Sequence, residues 1–250
     1  ANHSWYQHLL ATNEALYPWM DEGFTSFASD FVTHSLFPSF TPYEGSYRSY
    51  FSLVKSGKQE ALTTHADHYE TNRAYGTASY SMGLIFVNQL SYIVGEDVLM
   101  RSMRRYFSEW KYKHPTPNDF IRVVEKESGL ELTWYLEQWI GSTNTIDYGI
   151  KWLQENKETN KTHVILERKG KMPMPLDIKV VYVNGKEEVI HIPLRIMRGE
   201  KHVEEGINKF SVRADWPWTH PTYELVLDCK DEEIESIEID PSQRMADVDR

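Results

Sequence analysis

The sequence predicts a two-domain α+β chain: a helical domain over residues 1–143, then a small β-sandwich over 144–250. Three observations support this. Before Asn144 the apolar residues recur at helical steps, as in Trp19, Met20, Phe24, Phe27, Phe31 and Val32. From Tyr148 onward they alternate, as in Thr162-Val164-Leu166 and Leu176-Ile178-Val180-Tyr182, the period of half-buried strands. Asn184-Gly185 stands between two alternating runs, and this pair favours the positive φ angles of a tight hairpin turn.

The helices follow in order. His3 to about Leu10 is aromatic and apolar and reads as the second half of a helix. Trp19 to about Thr33 is a full helix, with Pro18 at the first turn where its missing N–H costs nothing. A helix is expected over Pro42–Val54, followed by a loop at Gly57. The polar stretch to Asn72 has no clear period. Tyr75–Val94 is strongly apolar and expected to be buried, and Gly95 separates it from a helix over Glu96–Trp110. Thr116-Pro117-Asn118-Asp119 reads as an N-cap, a first-position proline and a first-turn carboxylate, opening a helix that stops near Gly129. Thr133–Ile140 is a last short helix. About seven short strands follow, including Phe210–Val212, Tyr223–Val226 and Ile234–Ile239.

Composition bounds the function. A net charge of −10 argues against nucleic acid or an anionic membrane as the main partner, because phosphate binding needs clustered Lys and Arg. The single cysteine, Cys229, excludes an intrachain disulfide and a cysteine zinc site, and reads as a small apolar filler. Compartment stays open. No run reaches the roughly 18 to 20 apolar residues of a membrane span. Ala1-Asn2 reads as the remnant of a cleaved tag, so the absence of a signal peptide carries no weight.

The stretch that carries chemistry is the first one. His3-Ser4-Trp5-Tyr6 is followed by Asn13-Glu14 and then by Trp19-Met20-Asp21-Glu22-Gly23-Phe24. A hydrolytic zinc site takes three protein ligands and keeps one position for water. A His-Glu-x-x-His turn places two histidines on one helical face, and a third ligand comes from elsewhere. In these residues the chain resembles the gluzincin zinc aminopeptidases, the family of alanyl (membrane-type) aminopeptidases and leukotriene hydrolases. Their pattern is His-Glu-x-x-His, eighteen residues, then Glu. A second motif, Tyr80-Ser81-Met82-Gly83 with an apolar helix ending in Gly95-Glu96, is similar to the family's Tyr-x-x-Gly helix.

The resemblance implies a thermolysin-like catalytic domain, of which this would be the helical C-terminal part. It implies zinc as cofactor, a peptide as substrate, His3 and Glu22 as metal ligands, and Tyr80 as the donor that steadies the oxyanion. It covers most of residues 3–141 and, weakly, the sandwich. The family's first histidine, its general-base glutamate and its Gly-rich exopeptidase motif would all precede Ala1. The chain is therefore expected to lack the N-terminal part of its own catalytic domain, to be inactive alone, and to bind zinc weakly or not at all. A non-catalytic relative serving as an interaction scaffold is the alternative. Epoxide hydrolysis, which some family members add, is not addressed by any residue.

Other candidates have plainer readings. Glu14 fits two roles, orienting His3 or capping a turn. His65 and His68 read as a polar surface loop rather than a metal pair, and Trp216-Pro217-Trp218 as packing rather than a ligand platform. The Lys157–Lys171 run reads as a solvated hairpin. Trp5, Tyr6, Leu9 and Leu10 are expected to form an apolar face that is either exposed or reburied against a neighbouring molecule.

Overall fold

A computed structural model describes residues 2–249. The chain forms two compact units, Ala1–Thr143 and Asn144–Arg250. The first is all helical. It opens with a π-helical stretch, Ser4–Leu9, and continues through α1 (Pro18–Leu36), α2 (Glu44–Lys55), α3 (Asn72–Gly76), a second π-helical stretch (Thr77–Met82), α4 (Gly83–Val94), α5 (Glu96–Trp110), α6 (Pro117–Ser128) and α7 (Thr133–Gly141). The apolar run at Tyr75–Val94 thus resolves into α3, a wide π turn and α4. All twelve residues of α4 are buried, as its unbroken hydrophobicity requires.

The core of this unit is aromatic. Phe24 meets Phe120 edge-on at 4.8 Å, Trp19 meets Phe86 at 5.0 Å, and Phe86 stacks on Tyr135 at 5.1 Å. Such offset and edge-on pairs add to the burial of their area. The α6 start is as the sequence indicates: the N–H and hydroxyl of Thr116 both donate to Asp119 Oδ2, at 2.8 and 2.7 Å, and Gly129 ends the helix at φ +74°.

The stretch after His3 is more embedded than its sequence suggests. Leu10 is fully buried, Tyr6 packs edge-on against Phe24, and the half-exposed Trp5 sits edge-on to Phe107. The backbone N–H groups of Tyr112 and His114 donate to Leu9 O and Leu10 O. The polar stretch before α3 is held by Thr63 N–H to Ile140 O and Ala66 N–H to Ala15 O. His65 and His68 lie there on a 3₁₀ turn, Ala66–His68, with rings 4.9 Å apart.

The second unit holds two sheets. One has the order β1 (Tyr148–Asn156), β2 (Lys161–Arg168), β6 (Thr222–Leu227), all antiparallel. The other runs β5 (Phe210–Val212), β4 (Glu187–Ile192), β3 (Leu176–Tyr182), β7 (Ile234–Ile239), with β5 parallel to β4. The fold is α+β, with a β-sandwich after the helices. Gly185 turns the β3–β4 hairpin at φ +78° and donates to Tyr182 O. Val164, Leu166, Leu225 and Leu227 of one sheet and Leu176, Ile178, Val180, Ile190 and Ile192 of the other are all buried. Trp216 is packing: it is buried against Tyr148 and Tyr223, with Nε1 donating to His220 O.

The alternate positions of β3 and β4 carry a buried ionic network. Asp177 and His191 lie opposite each other, and Asp177 Oδ1 is 2.7 Å from His191 Nδ1. Lys201, whose side chain is wholly buried, donates to Asp177 Oδ2 at 2.6 Å and to Glu204 Oε2 at 3.2 Å. Arg244 completes it with two bonds to Glu204. Removing one partner of such a network leaves buried charge uncompensated. Lys201→Met should therefore destabilise the Asn144–Arg250 unit by about 3–5 kcal/mol in denaturant unfolding. A loss under about 1 kcal/mol would mean that the network carries little net stability.

Candidate metal centre

His3 and Glu22 are brought together. His3 heads the first π-helical stretch, and Glu22 lies in the second turn of α1. His3 Nε2 is 3.4 Å from Glu22 Oε2, and His3 Nδ1 is 3.4 Å from Asp21 Oδ1. A tetrahedral ion with ligand bonds of about 2.0–2.2 Å spaces its ligand atoms about 3.3–3.6 Å apart, so the Nε2–Oε2 separation suits two zinc ligands. His3 Nδ1, Asp21 Oδ1 and Glu22 Oε2 are buried and make no hydrogen bond, so three of the four polar atoms facing one another here are buried and unsatisfied. Among the described residues no three His, Cys, Asp or Glu side chains converge on one point as a metal needs. The donor set fits two of zinc's ligand positions, while Asp21 engages the far side of the ring.

Tyr80 joins the pair through Glu22. Its phenol is pushed up to about 12, chiefly by the hydrogen bond to Glu22 and then by burial, so it stays a proton donor at neutral pH. Its side chain is nonetheless 45% exposed, which leaves it within reach of a ligand.

Two glycines place Tyr80. A Cβ on Gly83 would lie 2.5 Å from Trp19 O and 2.9 Å from Gly23 Cα, and one on Gly23 would lie 2.4 Å from Gly83 Cα. The start of α4 and the first turns of α1 therefore touch backbone to backbone. Glu22 immediately precedes one of these glycines, and Tyr80 lies three residues before the other. The π-helical stretch Thr77–Met82 carries Tyr80, and wide turns of this kind are frequent at functional sites.

The residue that the sequence reading passed over is Asp21. It is 2% exposed, the only charged side chain among the buried described residues of its unit. Burial first, then the charges of Glu22 and Glu14, push its carboxyl up to about 6, with His3 partly offsetting them. The available signal was a carboxylate set between Met20 and Phe24 in an otherwise apolar turn. Glu14 does not take the role of orienting His3: it accepts a hydrogen bond from Gln7 Nε2, and Asp21 occupies the place beside the ring.

Comparison with known proteins gives the family. The profile of the peptidase family M1 domain matches residues 1–139. The chain belongs to peptidase family M1. It is similar to Aminopeptidase 2 of Candida albicans, 25% identical over 165 residues, covering 61% of this chain and 17% of the relative. It is also similar to the tricorn protease-interacting factor F2 of Thermoplasma volcanium, 20% identical over 81% of this chain and 26% of that protein. The fold matches the crystal structure of Legionella pneumophila aminopeptidase A in complex with aspartic acid. The TM-score is 0.64 at 15% identity, over 98% of this chain and 25% of that one. The chain thus spans 17% to 26% of the lengths of these proteins.

Two outcomes follow from the geometry. Gly83→Ala should cost about 1–3 kcal/mol, the usual penalty for overpacking, and should separate Tyr80 from Glu22. Gly76→Ala, at φ −64° and with nothing within 4 Å of the new Cβ, is the control and should be neutral or slightly stabilising. Comparable losses in thermal unfolding would discount the backbone contact. The second outcome concerns pH. Asp21 titrates higher when folded than when unfolded, so it favours the fold at low pH, and that contribution is lost as pH rises through about 6. Asp21→Asn should gain stability relative to the parent between about pH 4 and pH 7, by an amount on the order of 1–3 kcal/mol. A pH-independent difference would show that Asp21 has an ordinary carboxylate environment.

Proposed function

We propose that these residues are part of the active site of a zinc-dependent aminopeptidase, with His3 and Glu22 as metal ligands and Tyr80 as a hydrogen-bond donor to the reacting carbonyl. The carrying observation is the His3–Glu22 pair at ligand spacing, with unsatisfied polar atoms, joined to Tyr80 through Glu22. Membership of the M1 family and the aminopeptidase names of its relatives support peptide N-termini as the substrate class. Zinc, when bound, supplies Lewis acidity and a water acidic enough to attack a peptide carbonyl at neutral pH.

The chain's own residues hold and orient. Glu22 presents one carboxylate oxygen to the metal position, and its hydrogen bond to Tyr80 fixes the phenol beside it. His3 presents Nε2. Tyr80 is protonated and partly open to solvent, so it can donate to the oxygen on which negative charge develops as the carbonyl is attacked. A preorganised donor of this kind is worth roughly 10²–10³ in rate.

Two measurements test the reading. In the full-length zinc-loaded enzyme, Tyr80→Phe should lower kcat by about 10²–10³ with KM and zinc content nearly unchanged. Unaltered kcat would remove Tyr80 from the chemistry. The 250-residue chain alone supplies two of the three protein ligands a hydrolytic zinc site uses, and should show no peptidase activity and only weak zinc binding. Stoichiometric zinc binding at submicromolar concentration by this chain would overturn that expectation.

A further inference from the structure

We propose that Asp21 is a positioning residue for His3, resting on the zinc reading above: it holds the imidazole as the Nδ1–H tautomer so that the Nε2 lone pair faces Glu22 and the metal position. A neutral imidazole carries one N–H, and its two nitrogens are straddled here at equal distance, Nδ1 3.4 Å from Asp21 Oδ1 and Nε2 3.4 Å from Glu22 Oε2. Distance does not choose between them, but the surroundings of the two carboxylates do.

Glu22 has other sources of hydrogen. The Tyr80 phenol lies beside it, and its side chain is 20% exposed, so water reaches it. Asp21 has neither: its side chain is 4% exposed, and among the described residues the His3 ring, with Nδ1 at 3.4 Å, is the donor group placed to serve it. A buried carboxylate left without a donor costs about 1–3 kcal/mol or more, so the single ring proton is worth most on the Asp21 side. Placing it on Nδ1 leaves two acceptors, Nε2 and Glu22 Oε2, facing each other with no hydrogen between them. A cation between two such lone pairs relieves that arrangement, and metal-bound histidines commonly give their other N–H to a carboxylate. Asp21 thereby converts a ring that could point either nitrogen at Glu22 into one that offers a ligand atom.

The test reads the tautomer in the metal-free 250-residue chain. Long-range ¹H–¹⁵N correlation spectra of ¹⁵N-histidine-labelled protein above pH 7, with His3 assigned by its loss in His3→Gln, should show the proton on Nδ1. Asp21→Asn keeps an acceptor oxygen and should keep that tautomer. Asp21→Leu should lose it, giving Nε2–H or a mixture, and the zinc concentration for half-saturation should rise about 10–100-fold. An Nε2–H tautomer in the parent overturns the proposal, as does an unchanged tautomer in an Asp21→Leu variant with native far-ultraviolet circular dichroism. If Asp21→Leu does not fold, the parent and Asp21→Asn spectra decide alone. The expected tautomers in this chain, together with a full-length enzyme whose zinc content is unchanged by His3→Gln, would sustain the Asp21–His3 coupling and refute the metal reading instead.

Discussion

The site depends on one close approach, the contact of Gly23 with Gly83. Backbone meets backbone there, and neither position has room for a single methyl group. The contact lies between a ligand candidate and a donor candidate, one residue from Glu22 and three from Tyr80. Side chains on two helices at ordinary packing distance, 8–10 Å between axes, would need long reach to meet. With the helices drawn to backbone contact, a carboxylate and a phenol meet without either being strained. The fully buried α4 then acts as a fixed wall: with all twelve residues inside the core, it cannot shift without disturbing Phe86, Tyr135 and Trp19 together.

Against that rigid background Asp21 works against stability. A carboxylate 2% exposed beside a second carboxylate and near a third is an arrangement that an apolar residue of similar size would improve. The sandwich shows how the same chain treats buried charge elsewhere. Asp177, Lys201, Glu204 and Arg244 are mutually paired, and the carboxyls of Asp177 and Glu204 are held below their usual range despite burial, by His191 and Lys201 in one case and by Arg244 and Lys201 in the other. Asp21 is pushed the other way because only a partly exposed imidazole faces it. Charge is under-compensated in one unit and compensated in the other.

Much of this was legible in the sequence. Periodicity gave the helices, the cap at Thr116–Asp119 and the hairpin at Asn184-Gly185, because each is decided by local chemistry. The motif around Glu22 singled out His3 and Glu22, which the structure brings to 3.4 Å. Two features were not legible. The π-helical turns at Ser4–Leu9 and Thr77–Met82 leave the apolar pattern nearly unchanged, since one extra residue per turn only widens a stripe that tertiary packing then fixes. Asp21 was missed because a carboxylate in an early turn of a helix is ordinary when exposed. Whether it is exposed depends on the packing of His3 and its π turn above it, a contact between residues eighteen positions apart.

The residues around His3 and Glu22 also explain how the two come together. His3 and Glu22 lie on different helical segments, so nineteen residues of chain must return to within a ligand distance. Three restraints fix that return. Asn2 Nδ2 donates to Ser29 Oγ at 2.9 Å, tying the start of the π stretch to α1 beyond Glu22. Tyr6 packs on Phe24, two residues after Glu22. Leu9 and Leu10 carbonyls are capped from the loop after α5, which holds the far end of the stretch. Each restraint uses a residue type the function does not otherwise need. The aromatic and polar residues flanking His3 and Glu22 are therefore part of what makes the pair a site, and a histidine and a glutamate at the same separation without them would have no reason to meet.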